Sequence, residues 1–319
     1  MIPLAEIEAA AANVYAAMAP TPQYAWPLLA QRAGREVWVK HENHSPTGAF
    51  KLRGGLNLLA TLAASGRLPA GIASATRGNH GQSLAFACRR FGVRCAIVVP
   101  NGNSSDKNAA MRAFGAEVIE FGRDFDEARA HAEGIARDRS LRLVGPFERE
   151  LVAGVATYAL ELFRAVPDLA TVYVPIGCGS GICGLISARD ALRRSTRIVG
   201  VVSERANAYA LSFAAGHPVS TASAHTMADG MAVRVPVPAA LDVILRGAAR
   251  IVEVSDAEIE DAMRAYFSDT HQVAEGAGAA PLAAMLKEGA LAGDAAAVIL
   301  CGGNVDRDVY RRVLDGGWS

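Results

Sequence analysis

From residue 71 onward, short β-branched runs alternate with helix-length segments so regularly that few folds can accommodate the chain. GIASAT is followed by an apolar helix through NHGQSLAFACRRFG, the strand RCAIVVP, and a helix over SSDKNAAMRAFG. AEVIEFG, a charged helix near 124–138 and LRLVG continue the series, and Pro100 and Pro146 mark strand ends or loops. A second series follows Pro146: a helix through LVAGVATYALELFRAV, the strand TVYVPIGCG, a helix after Gly181, and TRIVGVVS. A helix at 256–267 precedes a last buried strand, AAVIL, at 296–300. Strands alternating with helices in this way predict a parallel sheet covered on both faces, an α/β architecture.

The N-terminal part is less regular. Residues 5–18 read as an amphipathic or buried helix, and Pro20 and Pro22 enforce an extended link. EVWVKH at 36–41 reads as a strand and 48–63 as a helix. Gly54 and Gly55 weaken that helix unless they serve close backbone approach. Segment 204–240 suggests ligand-facing or interdomain loops. With 319 residues, one or two domains are open.

Composition excludes several classes. Hydrophobic residues make up 51% and charged residues 20%, an ordered globular profile. A net charge of zero gives no sign of the basic surface a nucleic-acid partner needs, and Arg89–Arg90 and Arg193–Arg194 read as solvated helix faces. The odd set of cysteines at 88, 95, 178, 183 and 301 points to a reduced, cytoplasmic chain. No basic signal-peptide opening and no uninterrupted 18-residue apolar span stand out, so no membrane partner is expected. Lysine occurs only at 40, 51, 107 and 287, which shortens the search for an amine that can become neutral and nucleophilic.

Three glycine-bearing stretches sit beside apolar strands: RGNHG at 77–81, GCGSG at 177–181 and CGGN at 301–304. Such loops converge beyond the C-terminal strand ends of open parallel sheets. GCGSG, between a strand and a helix, suits an anion cradle or simply a tight turn. It lacks both the nucleotide-triphosphate loop ending and the dinucleotide spacing. Lys51, in TGAFKLRGG, is either a snorkelling surface residue or a desolvated nucleophile beside Phe50. Asn79 is either a helix N-cap or a donor to a ligand oxygen, and His80 lacks an identifiable orienting partner. Cys301 reads as a buried thiol. No histidine, cysteine and carboxylate set has persuasive metal spacing.

Taken together, SPTGAFKLRGG (45–55), ATRGNHGQSLAFA (75–87), GCGSG (177–181), TMADGMAV (226–233), AEGAGAA (274–280) and CGGN (301–304) resemble the fold-type II pyridoxal-phosphate enzymes. The resemblance is in particular to the serine/threonine dehydratase and serine racemase family, and it spans nearly the whole chain. It implies two open, mostly parallel sheets with helices on both faces, as in the tryptophan synthase β-subunit-like fold. Residues 1–69 and 149–319 would form a large domain and 70–148 a small one, with the cofactor, pyridoxal 5'-phosphate, between them. The chain stops shortly after CGGN, so an isoleucine-responsive regulatory domain is not expected.

By that resemblance Lys51 forms the imine with the cofactor and Phe50 lies against its ring. Asn79 meets the phenolic oxygen, and Gly177, Cys178, Gly179, Ser180 and Gly181 cradle the phosphate. Cys301 faces the pyridine nitrogen, where a weakly polar partner leaves the ring mostly unprotonated. Gly230 and Glu275 line the same cleft, and Thr76, Arg77, Gly78, Asn79 and His80 receive the substrate carboxylate. The implied activity is dehydration and deamination of a small β-hydroxy amino acid of the threonine/serine type to a 2-oxo acid and ammonia, in a homodimer. Lys51 would remove the α-proton, with the cofactor phosphate or Lys51 protonating the departing hydroxyl.

Two departures from the family pattern bear on specificity. Racemases carry serine where this chain has Arg77, which argues against two-base racemisation and opens phenylserine or 3-hydroxyaspartate as alternative substrates. Arg77 would then pair with substrate or shape the pocket, unless it is salt-bridged elsewhere. The family's cation ligands correspond to Glu204, Ala208 and Ala210, so the last carboxylate is missing and no metal is expected. Racemase and β-replacement activities, and a non-enzymatic cofactor-binding sensor, rank below dehydration.

Overall fold

The computed structural model describes residues 2–123, 125–289 and 295–316. Its strands in chain order are β1 (Gln23–Ala25), β2 (Val37–His41), β3 (Gly71–Ala75), β4 (Arg94–Val99) and β5 (Glu117–Glu120). β6 (Arg142–Leu143), β7 (Thr171–Pro175), β8 (Arg197–Ser203), β9 (Arg250–Val254) and β10 (Ala296–Leu300) complete them. They make a six-stranded sheet, β1-β2-β10-β7-β8-β9, and a four-stranded sheet, β5-β4-β3-β6. Every pairing is parallel except β1 on β2, so both sheets are open and mostly parallel as expected.

Burial follows composition. β3, β7 and β10 lie inside their sheets and every residue of each is buried, which explains why they read as unbroken apolar runs. β5 lies at an edge and exposes Glu117 and Glu120, charges that discourage pairing with another chain. Among the described residues no helix is long and apolar enough to cross a membrane.

The helix expected over 48–63 runs from Lys51 to Ala64, after a short 3-10 turn at Glu42–His44. It lies between the helices Asn79–Phe91 and Arg149–Ala165, and its two glycines are there for packing. A Cβ on Gly54 would come 2.9 Å from the Leu151 carbonyl oxygen, and one on Gly55 would overlap the Ser83 hydroxyl. Gly154 does the same from the opposite side, against the Arg53 carbonyl.

Several elements lay outside the sequence reading. β1 adds an antiparallel edge, with Gln23 opposite Lys40. The irregular 204–240 segment contains the helix Ala208–Ala215 and leads into another, Pro238–Gly247, with proline at its start. AEGAGAA opens the helix Gly276–Glu288, whose first ten residues are all buried, so it shows no amphipathic period.

A buried ion cluster holds the Lys51 helix in place. Arg53 donates to both oxygens of Glu42 at 2.7 and 2.9 Å and to both oxygens of Glu161 at 2.6 and 2.9 Å. Lys40 donates to Glu161 at 2.5 Å and to the Thr21 carbonyl at 2.6 Å. Two cations thus face two carboxylates, and the attraction of Arg53 and Lys40 outweighs burial to hold the Glu161 carboxyl below its usual range.

These contacts separate two glycine substitutions. Gly154→Ala is expected to cost about 1–3 kcal/mol by overpacking. Gly134→Ala, inside the helix Phe125–Asp138 with nothing within 4 Å of the added carbon, should stabilise by about 0.5–1 kcal/mol. Urea unfolding midpoints should move in opposite directions.

Candidate active site

The C-terminal ends of β2, β7 and β10 converge, and the segments that leave them hold one another. After β2 the chain turns through Ser45, whose hydroxyl accepts from the Ala49 N–H at 2.9 Å and donates to the Ala49 carbonyl at 2.8 Å. This turn is fastened to the end of β10. Phe50 N–H donates to the Cys301 carbonyl, and Gly303 N–H to the Gly48 carbonyl, each at 2.9 Å. Asn304 Nδ2 donates to the Thr47 carbonyl at 2.8 Å.

Lys51 is therefore the first residue of a helix whose entry is fixed. Its Nζ donates to Ser180 Oγ at 2.7 Å and lies 4.9 Å from the centre of the Phe50 ring. The Phe50 ring meets Tyr158 edge-on at 6.2 Å. Burial depresses the Lys51 amine below its ordinary value, while the neighbouring Cys178 and Cys301 act in the opposite sense. Cys301 is buried, and burial raises its thiol well above the usual range, keeping it neutral.

GCGSG makes the turn from β7 into the helix Ser180–Ala191. A Cβ on Gly177 would overlap the Gly230 carbonyl oxygen, and Gly179, at φ +96°, adopts the left-handed conformation that glycine takes without strain. Small residues thus leave the first-turn N–H groups, which lack intrahelical acceptors, bare beside the lysine. A phosphorylated aromatic aldehyde fits these residues: an amine for its carbonyl, a helix N-terminus for its phosphate, and a neutral thiol that can face a ring nitrogen.

The second sheet contributes its own strand end. Thr76, Gly78, Asn79 and His80 follow β3, and Thr76 Oγ1 accepts from the Gly78 N–H at 3.0 Å. The N-cap alternative for Asn79 is corrected. Gly78 holds the cap position, while the Asn79 side chain donates to Glu275 Oε1 at 2.7 Å and accepts from Asn304 Nδ2 at 2.9 Å. The salt-bridge alternative for Arg77 is corrected too: it is exposed and makes no ion pair among the described residues.

Sequence reasoning assigned no role to Lys107, Asp229 or Asn304. Lys107 is buried, its stem passes beneath Gly78, and its Nζ lies 2.6 Å from Asp229 and 3.8 Å from Glu275. Ser104 also hydrogen-bonds Asp306. These contacts join the helix after β4 to segments of the six-stranded sheet. The signals were the shortage of lysines and the position of Asp229 inside TMADGMAV, but only folding brings the two together. Among the described residues no cluster of His, Cys, Asp and Glu could hold a metal ion.

The open two-sheet architecture is that of pyridoxal-phosphate enzymes. The sequence pattern of the family described as pyridoxal-phosphate dependent enzyme matches residues 14–302. The chain is 33% identical over 291 residues to the L-threonine ammonia-lyase of Thermotoga maritima, covering 91% of this chain and 72% of that protein. The crystal structure of a T.th. threonine deaminase superposes with a TM-score of 0.90 at 31% identity, covering 96% and 99% of the two chains. A pyridoxal 5'-phosphate-dependent aspartate racemase superposes with a TM-score of 0.91 at 28% identity, covering 96% and 97%. The chain belongs to the pyridoxal-phosphate dependent enzyme family, and its cofactor is pyridoxal 5'-phosphate.

His80 supplies a pH test of this packing. Burial, with the Lys51 ammonium adding to it, pushes His80 down to about 3, and its Nε2 has no hydrogen-bond partner. The unfolded chain therefore takes up a proton near pH ~6.5 that the folded chain refuses, so stability falls as pH drops. Between pH 7 and 5 the cofactor-free protein should lose about 2 kcal/mol through this group alone. Urea midpoints of His80→Asn should show a shallower decline; superimposable pH profiles would contradict the assignment.

Proposed function

We propose that the protein is an ammonia-lyase that dehydrates and deaminates a small β-hydroxy α-amino acid of the threonine/serine type, releasing a 2-oxo acid and ammonia. The observation that carries the reading is Lys51: a half-buried side chain whose amine is hydrogen-bonded to Ser180 at the mouth of the glycine turn. The names of the relatives, L-threonine ammonia-lyase and threonine deaminase, point to the same chemistry.

In this reading Lys51 would hold the cofactor, and its amine would serve as the base that takes the proton from the α-carbon. When bound, the cofactor supplies the electron sink for that step. A depressed amine suits Lys51 to act as a base near neutral pH. The N–H groups of Gly177, Cys178, Gly179, Ser180 and Gly181 bind the phosphate, and Ser180 orients the lysine. Asn79 would hold the cofactor through its phenolic oxygen, with Phe50 and the Cys301 thiol as the residues that would hold its ring. Gly230 and Glu275 line the cleft. Residues 76–80 receive the substrate carboxylate through backbone N–H groups. Residues 70–148 act as a small domain that closes on a large one formed by 1–69 and 149–319, excluding water from the reacting bonds. A cytoplasmic homodimer completes the proposal.

Racemisation needs a second acid/base on the opposite face of the α-carbon. Arg77 stands where a serine would serve, and a guanidinium does not give up its proton.

A second reading rests on the same residue. An exposed guanidinium free of ion pairs on the proposed substrate loop suits a β-carboxylate, and 3-hydroxyaspartate would then be preferred. Phenylserine, the other alternative, gains no comparable support.

The test is 2-oxo-acid release by the cofactor-loaded protein from the stereoisomers of threonine, serine, 3-hydroxyaspartate and phenylserine. Threonine or serine should have the highest kcat/KM, and Lys51→Ala should abolish turnover. If 3-hydroxyaspartate leads, and Arg77→Gln lowers its kcat/KM by about 10–100-fold while sparing threonine, the second reading holds. Absence of release from every compound would overturn both.

A further inference from the structure

Asn79 sits in a hydrogen-bond chain whose direction is fixed at both ends. The Thr47 carbonyl can only accept, so the group of Asn304 that meets it at 2.8 Å is the amide nitrogen. That nitrogen's other hydrogen reaches Asn79 at 2.9 Å, which makes the Asn79 atom there the oxygen. Asn79 Nδ2 consequently points to Glu275 Oε1 at 2.7 Å, and an ionised carboxylate can only accept. One Nδ2 hydrogen is spent on Glu275, and the other remains to be donated.

Glu275 is itself anomalous. It is buried, and its second oxygen has no hydrogen-bond partner. What faces that oxygen is the Lys107 ammonium at 3.8 Å, carried by the helix Ser105–Ala113 that follows β4 of the other sheet. We propose that Glu275 is the positioning residue that aims the remaining Asn79 N–H at the cofactor's phenolic oxygen, and that Lys107, reaching across from the four-stranded sheet, keeps Glu275 in the charged form that does so. The inference rests on the reading that Asn79 meets the cofactor.

The electrostatics agree with the geometry. Burial pushes Glu275 up to about 7; Lys107 draws it down, Asp229 raises it, and the Asn79 hydrogen bond draws it down. The other charged or titratable groups around this pair are the neutral Cys301 thiol at the end of β10 and Asp306 near Lys107. Lys107 remains cationic because Asp229 and Glu275 outweigh its own burial. Glu275 is thus poised near neutrality, and small changes at Lys107 decide its charge.

An N–H donated to the phenolic oxygen favours its ionised form, and the two tautomers of bound cofactor absorb at different wavelengths. The experiment records their ratio against pH in cofactor-loaded wild type, Glu275→Gln, Lys107→Met, Lys107→Arg and Asn79→Ala. Wild type should lose the ionised-oxygen band as pH falls through the Glu275 transition. Glu275→Gln should lack this transition. Lys107→Met should move it upward by about 1–3 pH units, because a cation is lost and Asp229 is left unpaired beside the carboxyl. Lys107→Arg should restore it near the wild-type position. If Asn79→Ala leaves the band ratio unchanged, Asn79 does not meet the cofactor and the underlying reading fails. If Asn79→Ala shifts the ratio while Glu275→Gln titrates like wild type, or Lys107→Met leaves the transition in place, the inference alone is overturned. A purely structural role for Lys107 would lower stability in Lys107→Met without moving the transition, which also overturns it.

Discussion

Arg53 is the interaction on which the rest of this structure depends. It is buried two residues beyond Lys51, with all its paired acceptors on other elements: Glu42 after β2, Glu161 and Thr157 on the helix Arg149–Ala165, and Thr21 in the N-terminal link. Each contact fixes a different neighbour relative to the one helix that presents the lysine. Removing one partner from such a buried cluster costs about 3–5 kcal/mol, because the other charge is left uncompensated. That is a large part of the roughly 5–15 kcal/mol that typically separates folded from unfolded chains. Anchoring through a guanidinium also limits rotation of the Lys51 helix, since its fork accepts few orientations of Glu42.

With the helix fixed, the remaining chemistry follows from where parallel strands end. β2, β7 and β10 deliver the lysine turn, the glycine turn and Cys301 to one place, and β3 and β4 deliver Asn79 and Lys107 from the other sheet. Lys51 is surrounded by a hydroxyl and two thiols, and burial outweighs the opposing effect of Cys178 and Cys301 to depress its amine. Lys107 has the opposite surroundings, carboxylates on several sides, and stays charged. Two lysines in one cleft are thereby shifted in opposite directions.

How much was legible in the sequence varied with the range of the interactions involved. The strands β3, β4, β7, β8 and β10 were readable because full burial demands unbroken apolar runs. The three glycine stretches were readable because helix entries after strands need small residues. β1 was not, since a three-residue edge strand beside Pro22 has too short a period to detect. The helix Gly276–Glu288 was hidden for the opposite reason: its first ten residues are all buried and it carries Pro281 in its interior. Arg53 looked like an ordinary charge beside Gly54 and Gly55, because its partners are up to 108 residues away. Lys107 and Asp229, 122 residues apart, were equally silent. Asn79 was visible as a candidate, but its orientation depends on Asn304 and Glu275, which no local pattern connects to it.

The central claim, that Lys51 is the amine that holds the cofactor, is open to one direct measurement. Borohydride reduction of the loaded protein fixes the cofactor to whichever amine it is bonded to, and peptide mass spectrometry then locates it. The chain has lysine only at 40, 51, 107 and 287, so the answer is unambiguous. The modification is predicted on Lys51 alone. Recovery of it on Lys107, Lys40 or Lys287, or a cofactor removed intact after reduction, would contradict the account.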